Sequence, residues 1–557
     1  MKQRSGPSGG VPGTETGRFH TGTETCSLNG KEGTTKKTTA DWQEKKEHWY
    51  DPAPHQFPAH ERETTTILFG GLTLAHDYFI EGALKGLGYK IRRLDCPDLE
   101  SLRIGKEYGN RGQCNPTYFT VGNLIKYLMY LRDVEGKSVE EIINHYIFVT
   151  SGSCGPCRFG MYATEYRKAL RDAGFDGFRV YLFQQQSGLK QAAGHDSAIE
   201  FNLPFFAALI KAVLIGDILN AIGYRLRPYE AEPGAADRAL DKCQRYVYDA
   251  FVNRTSIIRA LYRCRKELEK VKVDRSIVKP KVSIIGEFWA MTTEGDGNYR
   301  LQKFLENEGA EVDVQPLTAW LLFLIWEGRY DTKVRMHLRG TDSGRKGLEG
   351  KNPRKRLFLL ALADRLMRVW FQTYAKIVGL HNYELPDMDE IAAVSHSYYN
   401  NHVRGGEGHM EVGKLLLNVR KRKANMTISV KPFGCMPSSG VSDGVQSLIT
   451  ELHPEAIFLP IETTGDGAVN VYSRIQMMLF KAKKAARKEF AEALEKKGLT
   501  AAAAEDASLF HRSSVFTRPL ARTRHYAACT AANAVYNLRK LPGKLVAEKA
   551  AGKTESV

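Results

Sequence analysis

The sequence predicts an α/β protein with two parallel-sheet domains, helical insertions and a disordered N-terminal extension. In two stretches of the 557-residue chain, 64–194 and 280–490, short apolar runs typical of buried strands alternate with amphipathic helical segments. Glycine lies at many joints between these segments, where the chain must turn. The hydrophobic and charged shares, 43% and 26%, are ordinary for a globular chain. The length favours about two to four domains.

The first α/β domain, residues 64–194, is predicted from strand and helix signals that alternate along the chain. Its predicted strands are Thr64–Gly70, Tyr89–Leu94, Tyr146–Thr150 and Phe178–Phe183, and its predicted helices are Leu74–Leu87, Val121–Val134 and Arg158–Ala173. Because a helix that connects two strands crosses one face of the sheet, this alternation favours parallel strands.

The second α/β domain, residues 280–490, follows a helical connection at 195–279. Its predicted strands are Val282–Gly286, Ala310–Val314, Thr427–Phe433 and Ala456–Pro460, and its predicted helices are Tyr299–Glu308, Gly440–Leu452 and a long basic helix over 468–495. A mostly helical insertion, 317–421, separates the second of these strands from the third. The two halves are alike in plan, although no sequence repeat relates them.

The two ends of the chain differ in composition from the rest. Residues 1–63 are rich in Gly, Thr, Ser, Pro and charge, which is typical of a disordered or docking extension. Residues 491–557 form a basic C-terminal tail, and the whole chain carries a formal charge of +17. Such charge attracts phosphates, but no recognised nucleic-acid motif accompanies it, so nucleic acid is not the expected partner.

Cysteine content and apolar runs predict a cytoplasmic protein without a membrane span. The nine cysteines are an odd number with no disulfide-framework spacing, and the N-terminus lacks the apolar core of a secretory signal. The longest apolar runs are Phe205–Gly223, which contains Lys211 and Asp217, and Ala319–Trp326, which is too short to cross a bilayer. A reducing compartment is therefore expected.

The pair Cys154 and Cys157 limits the possible kinds of functional site more than any other segment. It directly follows the predicted strand Tyr146–Thr150. Two thiols at this spacing bind one metal centre or form one redox disulfide. Cys114 lies in a loop ahead of a helix, and Cys435 lies just past another strand. Ligand sites in open parallel sheets lie beyond the carboxyl ends of the strands, so the four thiols are expected at one cleft between the domains.

Three kinds of site are compatible with these thiols. The cysteine spacing favours them in a definite order but excludes none of the three. An iron-sulfur cluster comes first, because it accepts separated ligands on glycine-rich loops. A redox disulfide comes second, since it leaves Cys114 and Cys435 without a role. Zinc comes third, because a structural zinc site usually has two close pairs of ligands. The cysteines interpreted as nonligands are Cys26, Cys243, Cys264 and Cys529.

The sequence does not assign a catalytic role to any of the other polar clusters. Residues 395–409 collect three histidines and Glu407, which could protonate a substrate or bind a metal. A polar loop that caps the helix Met410–Val419 is the favoured interpretation. The carboxylates that follow predicted strands are Glu287, Glu294, Glu462 and Asp466. They serve equally well as helix caps, so the catalytic residues stay unassigned.

Five elements rich in glycine form an ordered set of motifs along the chain. They are Phe69-Gly-Gly-Leu-Thr73, Gly109-Asn-Arg-Gly-Gln-Cys-Asn-Pro116, Cys154-Gly-Pro-Cys-Arg-Phe-Gly160, Gly286-Glu-Phe-Trp-Ala290 with Glu294-Gly-Asp-Gly-Asn298, and Pro432-Phe-Gly-Cys-Met-Pro437. As an ordered set they resemble the 2-hydroxyacyl-CoA dehydratase superfamily, and most closely its branch related to the large acyl-CoA dehydratase activases. The resemblance covers residues 64–490, and no single motif would suffice for it.

The resemblance implies flavodoxin-like α/β domains that hold a 4Fe-4S cluster at their junction, with Cys114, Cys154, Cys157 and Cys435 as its ligands. It implies an ATP-hydrolysing activator with its own cluster as electron donor, and a homologous subunit that completes the cleft. The substrate class it implies is an acyl-CoA or similar small molecule, in anaerobic metabolism. A double-cubane cluster needs more ligands than these four, or five with Cys96, so a single cubane is expected.

The chain departs from the family in ways that leave two functions open. No phosphate-binding loop of an ATPase is found, so we expect the chain to accept electrons rather than to drive their transfer with ATP. Four cysteines would close the coordination of the cluster, whereas the dehydratases leave one iron open to substrate. The first function is a redox enzyme or enzyme subunit with reductive or radical chemistry. The alternative is a noncatalytic electron-transfer or scaffold subunit that docks a partner through its terminal extensions.

Overall fold

Two four-stranded parallel sheets with helices around them confirm the predicted α/β fold class. The computed structural model describes residues 57–152, 157–184, 197–336, 348, 352–381, 383–403, 406–505, 508–511 and 527–538. Three features predicted from the sequence lie outside the described residues: most of the N-terminal extension, Cys154, and most of the basic tail.

The two sheets have the same strand order. The first contains β1 (Thr66–Phe69), β2 (Ile91–Arg93), β3 (Tyr146–Gly152) and β4 (Arg179–Gln184), in the order β2-β1-β3-β4. The second contains β5 (Lys281–Gly286), β6 (Glu311–Val314), β7 (Met426–Pro432) and β8 (Phe458–Thr463), in the order β6-β5-β7-β8. All six pairings are parallel. This order is that of flavodoxin-like sheets, and it makes β3 and β7 equivalent strands.

Helices cover both faces of the first sheet. They are α1 (Leu74–Gly86), α2 (Leu99–Tyr108), α3 (Asn115–Asp133), α4 (Val139–His145) and α5 (Tyr162–Asp172). Ile67 and Ile147 belong to the apolar core on one face, whereas Leu68 and Phe148 belong to the core on the other. Because both faces are buried, β1, β3 and β4 appear in the sequence as mostly apolar runs, which is why they were predictable.

A helical layer follows the first sheet, and further helices surround the second. The helices are α6 (Leu203–Leu226), α7 (Ala235–Val252), α8 (Ile257–Leu268), α9 (Phe288–Thr292), α10 (Leu301–Asn307), α11 (Leu317–Arg335), α12 (Pro353–Val378), α13 (Met388–Ser395), α14 (Gly408–Arg420), α15 (Met436–Gly440), α16 (Gln446–Leu452), α17 (Ala468–Lys497), α18 (Ala501–Glu505), α19 (Ser508–His511) and α20 (Thr530–Asn537). A π-helical turn at Val441–Val445 joins α15 to α16. Residues 317–421 are thus mostly helical where they are described, as predicted.

Around the first sheet, two helices were not predicted, and one begins earlier than expected. The helix α2 is short and charged, with an internal glycine, and only the capping box between Asp98 and Ser101 marks its start. The helix α4 begins at the capping residue Ser138. The helix α3 begins at Asn115 instead of residue 121, because the turn after Cys114 is already helical.

One described helical stretch, Leu203–Tyr229, is long and apolar enough to cross a membrane by length and composition alone. Within the fold, 61% of its most apolar window is buried, and its inward residues Leu214 and Ile218 are fully covered. It packs against α1 beneath the first sheet. A core helix of a folded domain has these same properties.

Candidate metal centre

The carboxyl-terminal ends of the two sheets meet at one junction. The amide of Leu74, at the start of α1, donates to Glu294 Oε2 at 2.7 Å, and the amide of Leu99 donates to Asp296 Oδ2 at 3.2 Å. The rings of Phe119 and Trp289 lie 5.5 Å apart at the same place. The loops that follow β2 and β5 therefore face each other, and residues from both halves line the space between them.

The loops that carry Cys114 and Cys435 are in direct contact. The amide of Asn115 donates to the carbonyl oxygen of Phe433 at 2.9 Å. Gly434 has a left-handed φ of +80°, and a Cβ atom built on it would lie 3.1 Å from Cys114 Cα. Only glycine combines this backbone conformation with so close an approach. The two cysteine loops are thus held against each other by backbone contacts.

Cys157 is the first described residue of the third loop, and it is half-buried. The guanidinium group of the next residue, Arg158, donates to the carbonyl oxygen of Gly112, two residues before Cys114. Cys154 lies outside the described residues. The structure therefore joins the loops of three of the four predicted ligands and leaves the placement of the fourth a prediction.

Glu165, on α5, fixes the loop ahead of Cys114. Its carboxylate accepts hydrogen bonds from the amide of Asn110, from the Asn110 side chain at 2.8 Å, and from the Gln113 side chain at 3.3 Å. The Tyr118 hydroxyl donates to the Asn110 carbonyl oxygen at 2.9 Å. The sequence did not single out Glu165, because nothing local links it to a loop more than fifty residues earlier.

Every described member of the predicted ligand set precedes a helix. Cys114 is the N-cap of α3, Cys157 is the N-cap of the short turn that leads into α5, and Cys435 is the N-cap of α15. A helix N-terminus stabilises negative charge and therefore favours a thiolate or an anionic cluster. The shared placement suits ligands of a metal centre.

A sequence signal for this placement exists but was missed. The pattern Cys-x-Pro occurs in Cys114-Asn-Pro116, Cys154-Gly-Pro156 and Cys435-Met-Pro437. In α3 and α15 the proline is the second helical residue, where its missing N–H costs no intrahelical hydrogen bond. The repeated tripeptide thus marks a cysteine cap at a helix start.

The thiols of Cys114 and Cys435 are buried, at 6% and 7% exposure. Cys114 Sγ lies 3.0 Å from the Tyr162 hydroxyl and 3.3 Å from Thr117 Oγ1. Burial raises the pKa of both thiols above the usual range, and the negative charge of Glu287 raises the pKa of each further. Both thiols therefore lie near Glu287, and a bound metal would have to displace their protons.

Three carboxylates line the junction beside these thiols. Glu407 Oε1 accepts a 2.7 Å hydrogen bond from the amide of Phe288, and Glu411 accepts one of 2.8 Å from the Ser438 hydroxyl. Burial, together with the nearby charge of Glu287, raises the pKa of Glu407 to about 8 and that of Glu411 to about 7. These side chains can hold protons at neutral pH.

The histidine-rich segment does not form one site. His409 is buried against the rings of Phe323 and Trp326, at centroid distances of 4.6 and 4.9 Å. His402 is exposed and lies 3.4 Å from the Tyr330 hydroxyl. Glu407 reaches the junction, and Gly406 beside it lies close to Pro437, so the sequence interpretation of a polar capping loop missed the environment of this carboxylate.

The remaining candidates are dispersed. Glu462 is exposed, with its carboxylate 3.9 Å from Lys431 Nζ, and Asp466 accepts a hydrogen bond from Thr464 Oγ1 at 2.6 Å. Cys96 Sγ lies 3.9 Å from Thr293 Oγ1 at the junction. Cys243, Cys264 and Cys529 are buried in helices or at a helix cap elsewhere.

In the part of the chain that the structure describes, no group of three or more His, Cys, Asp or Glu side chains is arranged to hold a metal ion. The donor chemistry nevertheless fits a cluster, because Cys114, Cys157 and Cys435 lie on adjoining loops at helix N-termini. The close approach at Gly434 also supplies the kind of glycine-rich backbone that surrounds such centres. The set becomes complete only with Cys154.

No protein-family model matches this chain, and no curated protein matches it. The resemblance therefore stays a prediction that depends on the ordered motifs and on the junction to which they contribute.

Proposed function

We propose that the protein is an iron-sulfur redox protein whose 4Fe-4S cluster is held by Cys114, Cys154, Cys157 and Cys435. The observation that carries this proposal is the contact between the loops of Cys114 and Cys435, made by the hydrogen bond from Asn115 to Phe433. Two thiols from different halves of the chain have no reason to meet in a thioredoxin-like site, but they suit a cluster at a domain junction.

Different residues around the junction have different roles in the proposed chemistry. When bound, the cluster supplies single electrons at low potential. The helix N-termini behind Cys114 and Cys435 stabilise their thiolates, and Gly434 lets the two loops approach. Glu407 and Glu411, with pKa values of about 8 and 7, hold protons beside the thiols and can release them to a reduced substrate.

The proposed electron donor is an ATP-hydrolysing activator with its own cluster, and the proposed chemistry is reductive or radical chemistry on an acyl-CoA or similar small substrate. Both come from the resemblance. The alternative function is a noncatalytic electron-transfer or scaffold subunit. The carboxylates at the junction favour the redox enzyme, because a pure electron carrier needs no proton donors at its centre.

Anaerobic purification followed by iron and sulfide analysis and electron paramagnetic resonance tests the cluster. We expect a brown protein with about four irons per chain, as a cubane requires. Cys435→Ala and Cys154→Ala should each lose most of the iron and the signal. Cys529→Ala is the matched control, since Cys529 is also a buried helix N-cap but lies outside the junction, and it should keep both. Colourless wild-type protein, or zinc in place of iron, would refute the proposal.

A second measurement separates the enzyme from the carrier. The reduced protein is mixed with a panel of 2-hydroxyacyl-CoA and enoyl-CoA esters, and the products are analysed by mass spectrometry. Dehydrated or reduced product that disappears in Glu407→Gln supports the enzyme. Reoxidation of the cluster by protein acceptors alone, with every ester unchanged, supports the carrier.

A further inference from the structure

We propose that a cavity along the outer edge of the second sheet binds a small phosphate-bearing ligand. The cavity has a volume of about 300 Å³ and is lined by β6, by α6 and by the turn that follows α14. None of the described cysteines lines it. The site is thus separate from the proposed metal centre, and its volume lies at the lower end of the range for small-molecule pockets.

Two of the carboxylates that line the cavity are already neutralised. Asp217 accepts hydrogen bonds from the amides of Leu317 and Thr318, each at 2.7 Å, and its Oδ1 lies 3.3 Å from His76 Nε2. Glu311 pairs with Lys281 at 3.1 Å and accepts a hydrogen bond of 2.9 Å from a tyrosine hydroxyl. Neither carboxylate is available to repel an anion at full strength.

Three cations on the cavity wall remain uncompensated. Within the described residues, Arg225, Arg422 and Lys423 form no ion pair, although all three line the cavity. The guanidinium carbon of Arg225 lies 5.1 Å from the centre of the Tyr383 ring, which holds it over the cavity wall. The remaining carboxylate is Asp313, so positive charge exceeds negative by two after the pairs are set aside.

Arg422 has an unusual backbone conformation. It follows the C-cap of α14 with a left-handed φ of 48°, a position that favours glycine. A non-glycine residue keeps such a conformation at a cost in backbone energy, and this cost is often tolerated where the side chain has a function. Arg422 lines the cationic cavity, and binding of an anion there would be such a function.

The ligand chemistry follows from these groups. Guanidinium groups bind phosphate oxygens through paired, charge-assisted hydrogen bonds, and two arginines with one lysine suit a phosphate better than a single carboxylate. Asn220 and Gln315 also line the cavity, where the Asn220 amide donates to Thr73 Oγ1 at 3.0 Å and the Gln315 amide lies 3.9 Å from Met410 Sδ. We therefore assign the site to a small phosphate ester or a free polyphosphate.

Isothermal titration calorimetry of the full chain with inorganic pyrophosphate tests this assignment, with equal ionic strength of sodium chloride in the cell and the syringe. The wild-type protein should bind one pyrophosphate per chain. Arg225→Gln and Arg422→Gly should each weaken binding at least about tenfold, as expected for the loss of one charge-assisted contact. Absence of binding to the wild type, or unchanged binding to both variants, would overturn the proposal.

Arg422→Gly also gives a readout that misfolding cannot imitate. Glycine relieves the left-handed strain, so this variant should lose pyrophosphate affinity while its Tm stays equal to or above that of the wild type. Arg254→Gly is the matched control: Arg254 has a φ of 52° after another helix, outside the cavity. It should bind pyrophosphate as the wild type does, and equal loss of affinity in both variants would contradict a site at the cavity.

Discussion

The backbone amide of Asn115 donates a 2.9 Å hydrogen bond to the carbonyl oxygen of Phe433, and this contact joins the first half of the chain to the second. Each residue is a direct neighbour of the close approach between Cys114 and Gly434. Because the bond is made by the backbone, substitution of either side chain preserves it. The position of one cysteine loop is therefore coupled to that of the other, and a change in either loop should affect the metal centre.

Replacement of Gly434 by alanine should separate the two cysteine loops. The new Cβ would lie 3.1 Å from Cys114 Cα, and alanine is strained at a φ of +80°. We expect the free energy of unfolding to fall by about 2–4 kcal/mol and the iron content of purified protein to drop. Denaturant unfolding and iron analysis measure the two effects.

Gly136→Ala is the control for this substitution, because Gly136 has a φ of +70° with no atom within 4 Å of its added Cβ. It should cost about 1–2 kcal/mol, the backbone strain alone, with full iron content. If both variants lose the same stability and keep their iron, the close approach at Gly434 has no role in assembling the centre.

How much of the fold was predictable depended on where the apolar residues were buried. A strand such as β5, covered on both faces, appeared as a short and mostly apolar run, Val282–Gly286, which only Ser283 interrupts. The helix α2 was missed because Gly105 breaks its helical signal, and that glycine is needed for contact with α3. A requirement that arises from a distant helix leaves no local pattern in the sequence.

The candidate site was predictable to a similar extent. The position of Cys435 after a strand and of Cys114 before a helix placed both at one edge, because chain direction in parallel sheets fixes where loops lie. The environments of Glu407 and Glu411 were not predictable, since their raised pKa values come from burial against the other elements of the junction. Burial of a carboxylate depends on packing that spacing rules do not contain.

The crossing of α2 and α3 should tolerate no side chain at its two glycines. A Cβ on Gly122 would lie 1.8 Å from the carbonyl oxygen of Ser101, and one on Gly105 would lie 1.8 Å from that of Tyr118. We expect Gly122→Ala to lower the free energy of unfolding by about 3 kcal/mol or more, because the helices must move apart.

Gly444→Ala tests whether this loss is due to the crossing. Gly444 is exposed in a helical segment and has no atom within 4 Å of an added Cβ, so alanine there should be neutral or stabilise by up to about 1 kcal/mol. Denaturant unfolding compares the variants. Equal stability of Gly122→Ala and the wild type would show that the two helices are not in close contact.

Glu411→Gln should stabilise the protein at high pH but not at low pH. Burial raises the pKa of Glu411 from 4.5 to about 7, so the folded chain keeps a proton that the unfolded chain releases. Stability from this group is complete below pH 4.5 and is lost as the pH rises towards 7, by about 3 kcal/mol in all. Glutamine is uncharged and still accepts the hydrogen bond from Ser438.

The measurement is denaturant unfolding of both proteins at pH 5 and pH 8. Titrating groups away from the junction cancel in the difference between the proteins, whereas Glu287 and Glu407 interact with the Glu411 charge. The variant should gain up to about 3 kcal/mol over the wild type at pH 8 and much less at pH 5. Glu390→Gln is the control, because Glu390 is only partly buried and pairs with Lys421 away from the junction, and it should show no such gain. A gain that does not depend on pH would mean that the pKa of Glu411 is not raised.

Asp217→Asn should destabilise the protein by about 2–4 kcal/mol, because it removes a buried charge that four groups contact, including the Thr318 hydroxyl. Asp217 is 4% exposed, caps the N-terminus of α11 through the amides of Leu317 and Thr318, and pairs with His76. The side-chain amide that replaces one carboxylate oxygen cannot accept these hydrogen bonds. Asp364→Asn, which affects only a half-buried pair within α12, should cost less than about 1 kcal/mol.

The cost of Asp217→Asn should also depend on pH. Burial opposes protonation of His76, but the hydrogen bond and charge of Asp217 outweigh burial and raise the pKa of His76 above 6.5. The stability that this pair contributes is therefore complete below pH 6.5 and is lost as the pH rises through the raised pKa. Denaturant unfolding at pH 6 and pH 9 should show a larger difference between variant and wild type at pH 6. A difference that does not change with pH would show that His76 is neutral in the folded protein, and that Asp217 acts only as the cap of α11.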